Sequence, residues 1–385
     1  MDELETLDRR LDPTADAPLI VAFSGGGDSL ALLLTTHLWA RRTGRRVIAV
    51  TVDHRLQAAG ADWSAWCAER AGRLSVEHLA LAWEGDKPRT GIPAAARQAR
   101  HALLADAARA AGARVILMGH TADDRLEARL MRAAGVSAPE PREWSPSPLW
   151  PQGRGLFLLR PLLGLRRAQI RERLRQTGET WIDDPANVDT RHPRVRARLA
   201  IEQGEAPGPK QPASDLAPML AHTTVTDDGE IILEREAFPL LGQALLCAAG
   251  TSRPPRRDHL ERLLRPEPFT ATLAGARIVG DGQRLRISRE PGELVRAGLQ
   301  PQPLVPGEPT VWDGRYEITA HHPNLTVAPY PSRTRIPLPL IDPPSPANAP
   351  STATLTCLVR DRFLAACGAI ANEAALSVNP SSPRQ

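Results

Sequence analysis

The chain has 385 residues, 42% of them hydrophobic and 24% charged, with a net charge of +4. That length supports two or three domains with cores of their own, and no run approaches the eighteen apolar residues of a membrane span. The segment MDELETLDRR is acidic and polar, unlike a signal peptide, so a cytoplasmic location is expected.

Four cysteines, Cys67, Cys247, Cys357 and Cys367, lie far apart with no C-x-x-C pair. This argues against a zinc or iron–sulfur cluster, a thiol redox motif and a disulfide framework. Residues 1–200 carry +6 and the remainder −2, and Lys87 and Lys210 are the only lysines. Arginine forks suit phosphate, so a basic first half favours an anionic partner. No heptad seam marks an oligomer interface.

In chain order, Leu19–Phe23 reads as a buried strand that breaks at Ser24-Gly25-Gly26-Gly27-Asp28-Ser29 and resumes as an apolar helix from Leu30 to Leu38. Strand, glycine loop and helix present backbone N–H groups and a helix N-terminus to an anion. Neither the Walker pattern nor G-x-G-x-x-G fits, because Asp28-Ser29 replaces Lys-Ser/Thr and Ser29 stands at the third glycine. Val47–Val52 is a second strand ending in Asp53-His54, followed by a helix over Asp62–Gly72 and a third strand over Val76–Leu81. A polar loop from Trp83 to Gly91 leads into a long helix from Ile92 to about Ala111. A fourth strand, Val115–Met118, precedes a helix opening near Ala122. Strands alternating with helices predict an α/β fold, a doubly wound, mostly parallel sheet whose ligands bind at the carboxyl edge.

Two groups on these elements carry chemistry. Arg97 and Arg100 share a helix face, either as a solvated basic surface or as an anion contact. Gly119-His120-Thr121-Ala122-Asp123-Asp124 with Glu127 follows the fourth strand. One of the two aspartates is accounted for as a first-turn acid, worth about 0.3–1 kcal/mol against the helix dipole. His120 with Asp124 and Glu127 at spacing three is not.

The loop at Ser24–Ser29 resembles the S-G-G-x-D-S loop of the PP-loop ATP pyrophosphatases, which cleave ATP between the α and β phosphates. With Val52-Asp53-His54, Ala96-Arg97, Arg100, Gly119-His120 through Asp124 and Glu127, Arg160-Pro161-Leu162-Leu163, Arg167, Ile170, Trp181–Asn187 and Arg194–Arg198, residues 18–200 resemble the tRNA(Ile)-lysidine synthases. The chain departs from their pattern at His101, Ala128 and Val195.

The resemblance implies an adenine nucleotide alpha hydrolase-like fold and ligation of L-lysine to the wobble cytidine of the CAU-anticodon isoleucine tRNA through an adenylated intermediate. ATP would lie on Ser24, Gly25, Gly26, Gly27, Asp28, Ser29, Asp53 and His54, with Asp28 helping to hold Mg2+. Asp28, Arg97, His120 and Asp124 are the implied catalytic set, with Asp124 as base. Asp124, Glu127 and Arg194 would receive lysine, Arg194 at its carboxylate. Two rivals stand beside this reading: another PP-loop tRNA-modifying enzyme of the thiolase type, and a non-catalytic RNA-binding protein on the same fold.

Residues 154–198 hold eleven arginines against five acids, which suits an RNA backbone. The expected organisation is a catalytic domain over 1–203, a linker over 204–220, a central α+β domain over 221–295 and a proline-rich, possible tRNA-contacting region over 296–385. The later parts are expected to be smaller, mainly helical and mixed. Helices are expected over Leu240–Ala249 and Arg256–Leu264, and strands over Ala271–Val279, Leu285–Ser288, Trp312–Ile318 and Ala353–Leu364. The final dozen residues are expected to fray.

Overall fold

The structure, a computed structural model, describes residues 3–136, 138–184, 193–204, 216–264, 267–296, 300–329, 336–342 and 352–376. Pro185-Ala186-Asn187 and most of the expected linker lie outside them. The chain forms two compact units; the first takes the chain up to Gly204 together with residues 370–376, the second residues 216–369.

In the first unit, α1 (Glu3–Arg10) precedes β1 (Leu19–Ala22), α2 (Gly27–Thr43), β2 (Val47–Asp53), α3 (Gly60–Arg73), β3 (Glu77–Ala82), α4 (Ile92–Ala110), β4 (Val115–Leu117) and α5 (Ala122–Ala133). Two short strands follow, β5 (Trp144–Pro146) and β6 (Phe157–Leu159), then α6 (Arg167–Gln176) and α7 (Pro193–Glu202). The sheet order is β3-β2-β1-β4-β6-β5, parallel except for β5. The order reverses beside β1, which opens a crevice at the carboxyl ends of β1 and β4.

Continuous apolar runs form these strands because both faces are covered. Leu19, Val21, Val47, Ala49, Val115 and Leu117 pack with Leu30 and Leu33 of α2 on one face. Ile20, Ile48, Val50 and Ile116 meet Leu104, Ala105 and Ala108 of α4 on the other.

Residues 370–376 return to this unit. Glu373 pairs with Arg45 in the interior, the two side chains 2% and 3% exposed. Both Arg45 Nη atoms donate to the carboxylate, at 2.9 and 3.0 Å, and the Asp12 N–H adds a third bond at 2.9 Å. Trp144 Nε1 donates to the Ile370 carbonyl at 2.9 Å. Fraying was expected from residue 374 onward, yet Ala374–Leu376 form a 3-10 turn, and the Leu376 carbonyl accepts from Arg114. Residues 377–385 lie outside the described ones.

The second unit holds a five-stranded antiparallel sheet and two three-stranded sheets. Its helix Leu241–Ala248 falls where the sequence put it. The single strand expected over Ala271–Val279 is instead a hairpin, Phe269–Leu273 against Ala276–Gly280. Ala274 and Gly275 turn it with φ of 52° and 84°, the pair of positive angles that tight hairpins use. The strand expected over Ala353–Leu364 stops at Cys357 and becomes the helix Val359–Ala366, because Val359 and Phe363, four apart, are both buried. Residues 217–222, expected largely as linker, form a 3-10 helix.

Candidate active site

The crevice is a cavity of about 540 Å3 in the first unit. Its floor is the glycine loop. Gly25 takes φ of +80°, and a Cβ there would come within 2.4 Å of Ile182 Cδ1, so only glycine fits. The Ile182 N–H donates to the Gly25 carbonyl at 3.0 Å, latching the Trp181–Asp184 segment onto the loop. Ser29 Oγ donates to the Gly26 carbonyl at 2.8 Å and accepts from the Ser24 N–H at 3.2 Å, stapling the loop to its own helix. The N-cap of α2 is Gly26 with no side-chain cap, so the first N–H groups of a 17-residue helix stay available to an anion. Gly119 lets β4 approach closely, since a Cβ there would stand 3.0 Å from the Asp28 backbone.

Ser24, Gly26, Gly27, Asp28, Ser29, Asp53, His54, His120, Asp124 and Arg194 all line the cavity. Gly25, Arg97 and Glu127 do not. Asp53 Oδ1 accepts the Arg55 N–H at 2.8 Å, turning the chain away from β2. Burial lowers the pKa of His54, with Arg100 adding to the effect, and leaves its Nδ1 without a hydrogen-bond partner.

The two aspartates of α5 separate cleanly. Asp123 accepts the Arg167 N–H at 2.7 Å and Arg166 Nε at 3.1 Å, so it is a scaffold acid. Asp124 faces the cavity and closes a capping box, Oδ2 accepting the Thr121 N–H at 2.8 Å and Thr121 Oγ1 at 3.1 Å. Burial works to raise its pKa, but its polar neighbours, the Thr121 N–H, Arg167 and Arg194 among them, hold it below the ordinary carboxylate value. Asp28 goes the other way: burial raises its pKa more than Arg167 lowers it. Its Oδ2 accepts from Arg167 Nε at 3.0 Å, while buried Oδ1 has no hydrogen-bond partner.

His120 Nδ1 lies 3.2 Å from Arg160 Nε. Arginine only donates, so Nδ1 accepts and a neutral His120 carries its proton on Nε2. Burial is the main cause of its lowered pKa, which keeps the ring neutral. Glu127 is fully buried beneath three arginines, Arg167 at 3.1 Å, Arg194 at 3.2 Å and Arg198 at 3.1 Å. The last two reach it together because they are four apart on α7.

Positive charge is left in surplus nearby. Arg100 is pushed down to about 10 by burial and then by Arg97 and Arg194, and its buried Nε has no hydrogen-bond partner. Arg97 is lowered by burial and by Arg194. Arg160 is likewise pushed down to about 10, by burial and then by Arg97. Arg97 and Arg100 are thus largely withdrawn from solvent, and a cationic cluster of this kind attracts anions.

Sequence reasoning gave no individual site role to Arg160, Arg167, Arg171, Arg198 or the Asp183-Asp184 pair. All but Arg160 line the cavity. The available signal was the arginine excess over 154–198, which points to a charged region and not to particular contacts.

A model of the PP-loop domain matches residues 3–204. The chain is 52% identical over 333 residues to the tRNA(Ile)-lysidine synthase of Caulobacter vibrioides, covering 85% of this chain and 80% of that protein. It is 36% identical over 322 residues to the one from Hyphomonas neptunium, covering 74% and 84%. A third, from Mesorhizobium japonicum, is 33% identical over 386 residues, covering 86% and 79%. With an ATP-using PP-loop domain and relatives matched along most of their length, this chain belongs to the tRNA(Ile)-lysidine synthase family.

Proposed function

We propose that this chain ligates L-lysine to the wobble cytidine of a CAU-anticodon isoleucine tRNA. The cytosine O2 attacks the α-phosphorus of ATP and pyrophosphate leaves. The lysine ε-amine then attacks C2, and AMP departs with the oxygen. The carrying observation is one cavity that joins an uncapped helix N-terminus to an ionised carboxylate, Asp124, beside a surplus of arginine.

Each part of the site has a task in that sequence. The α2 N-terminus with Arg97 and Arg100 receives the polyphosphate and stabilises charge on the leaving pyrophosphate. His120 Nε2–H donates to the adenylate. The partnerless Asp28 Oδ1 fits a hard divalent cation, which is the support for Mg2+. Bound there, the ion would neutralise phosphate charge. Asp53 and His54 face the nucleoside end.

Lysine brings an ammonium that must lose a proton before it attacks. Asp124 attracts it and accepts that proton, although its depressed pKa alone makes it a weak base. Burial and then the neighbouring arginines lower Arg100 and Arg160 to about 10, and the same surroundings lower an ammonium placed beside them, easing the transfer. Glu127 shapes this half from beneath, holding Arg194 for the lysine carboxylate.

The thiolase reading gains nothing here. The cysteines are free and at least half-buried, and burial pushes the Cys67 thiol up to about 11. No helix among the described residues is long and apolar enough to cross a membrane; a tRNA substrate is the support for a cytoplasmic location. The test is incorporation of labelled lysine into that tRNA, dependent on ATP and Mg2+. Turnover with sulfur or ammonia as acceptor, and none with lysine, would overturn the proposal.

A further inference from the structure

Arg167 is the first residue of α6, and four different carboxylates meet it. Its N–H donates to Asp123, its Nε to Asp28 Oδ2 at 3.0 Å and its Nη1 to Glu127 Oε1 at 3.1 Å, while Nη2 lies 3.6 Å from Asp124 Oδ2. Asp28 belongs to the glycine loop and its helix. Asp124 and Glu127 belong to the amine half, on α5. Among the described residues no other side chain ion-pairs with carboxylates of both halves. The side chain is 14% exposed, and these carboxylates raise its pKa against the effect of burial, so it is a permanent charge.

From this geometry we infer that Arg167 is a positioning residue that couples the nucleotide half of the cavity to the amine half. The inference rests on lysine being the amine. Without nucleotide, Arg167 stands against Asp124 as an ammonium would, and the three carboxylates are already matched by Arg167, Arg194 and Arg198. A polyphosphate on the glycine loop adds strong negative charge beside Asp28 and draws the fork toward itself. Every step of that movement frees Asp124 oxygen for the incoming ammonium. Nucleotide therefore favours lysine, and by linkage lysine favours nucleotide by the same factor. Only a planar fork with several donors can span both halves; a lysine at this position is a point charge that serves one carboxylate at a time.

The test is equilibrium dialysis of labelled L-lysine against the full chain, with and without Mg2+ and an ATP analogue carrying methylene between the α and β phosphates. Wild type is expected to bind lysine at least about fivefold more tightly with the analogue, the lower end of ordinary coupling factors. Arg167→Lys should bind each ligand yet bring that ratio to within about twofold of unity. If Arg167→Lys fails to fold by circular dichroism, Arg167→Gln is run in its place, and Arg167→Ala with added guanidinium should regain the ratio. A ratio that persists in the folded variant, or a wild-type ratio of one, overturns the role of Arg167 alone. Absence of lysine binding to wild type under every condition overturns the lysine reading and this inference with it.

Discussion

Replacing Asp124 by Asn separates the two half-reactions. The side chain does two jobs, capping α5 through Oδ2 and presenting charge to the cavity. An Asn oxygen keeps the 2.8 Å bond from the Thr121 N–H, whereas Ala would lose the cap at a cost of about 1 kcal/mol and confuse stability with chemistry. What Asn removes is charge. A hydrogen bond to a charged group is worth about 1.5–3 kcal/mol, or roughly ten- to 150-fold in lysine KM. Loss of the proton acceptor should slow lysine transfer by a further factor of about 10²–10⁴. On the proposed reading adenylation draws on the α2 N-terminus, Arg97 and Arg100, so it should stay within a few-fold of wild type. Pyrophosphate release and labelled-lysine incorporation, followed in parallel on one tRNA preparation, should show adenylated tRNA accumulating. Equal loss in both measurements would refute this division of labour.

Asp28→Asn should abolish adenylation while leaving the melting temperature at or above that of wild type. The Asp28 pKa is raised in the fold, so its favourable contribution is complete only below the unfolded value and is lost as pH rises through the folded one. At neutral pH the ionised side chain is therefore a burden that Asn relieves, and a clear fall in melting temperature would contradict this. Glu373→Gln should destabilise the first unit by about 3–5 kcal/mol in urea unfolding, because it strands Arg45 in the interior. Replacing both partners with apolar residues should recover most of that loss; no recovery would show that the pair itself is not the cause.

The glycine loop was legible in the sequence because everything that defines it is local: an apolar strand, three glycines and an apolar helix within twenty residues. Convergence of Asp28 with Asp124 followed from parallel strands delivering their ends to one edge. The role of Arg167 was not legible, since its partners lie 139 and 40 positions away and no periodicity encodes such a meeting. The resemblance implied a lysine contact for Glu127, but packing of α7 on α5 set it beneath Arg194 and Arg198. In the second unit a single Gly275 in an alternating run concealed a hairpin. Likewise, the β-forming residues of 353–357 masked the helix that starts two residues later.

The return of residues 370–376 to the first unit bears on how the protein comes into being. Arg45 waits for a counter-ion encoded 328 positions downstream. A nascent chain can assemble the glycine loop and most of the parallel sheet early in synthesis, yet Arg45 stays without its carboxylate until Glu373 has been translated. Chains cut short within the second unit would expose that unneutralised guanidinium in an otherwise formed nucleotide-binding core. The buried pair can therefore form only in chains that extend through Glu373.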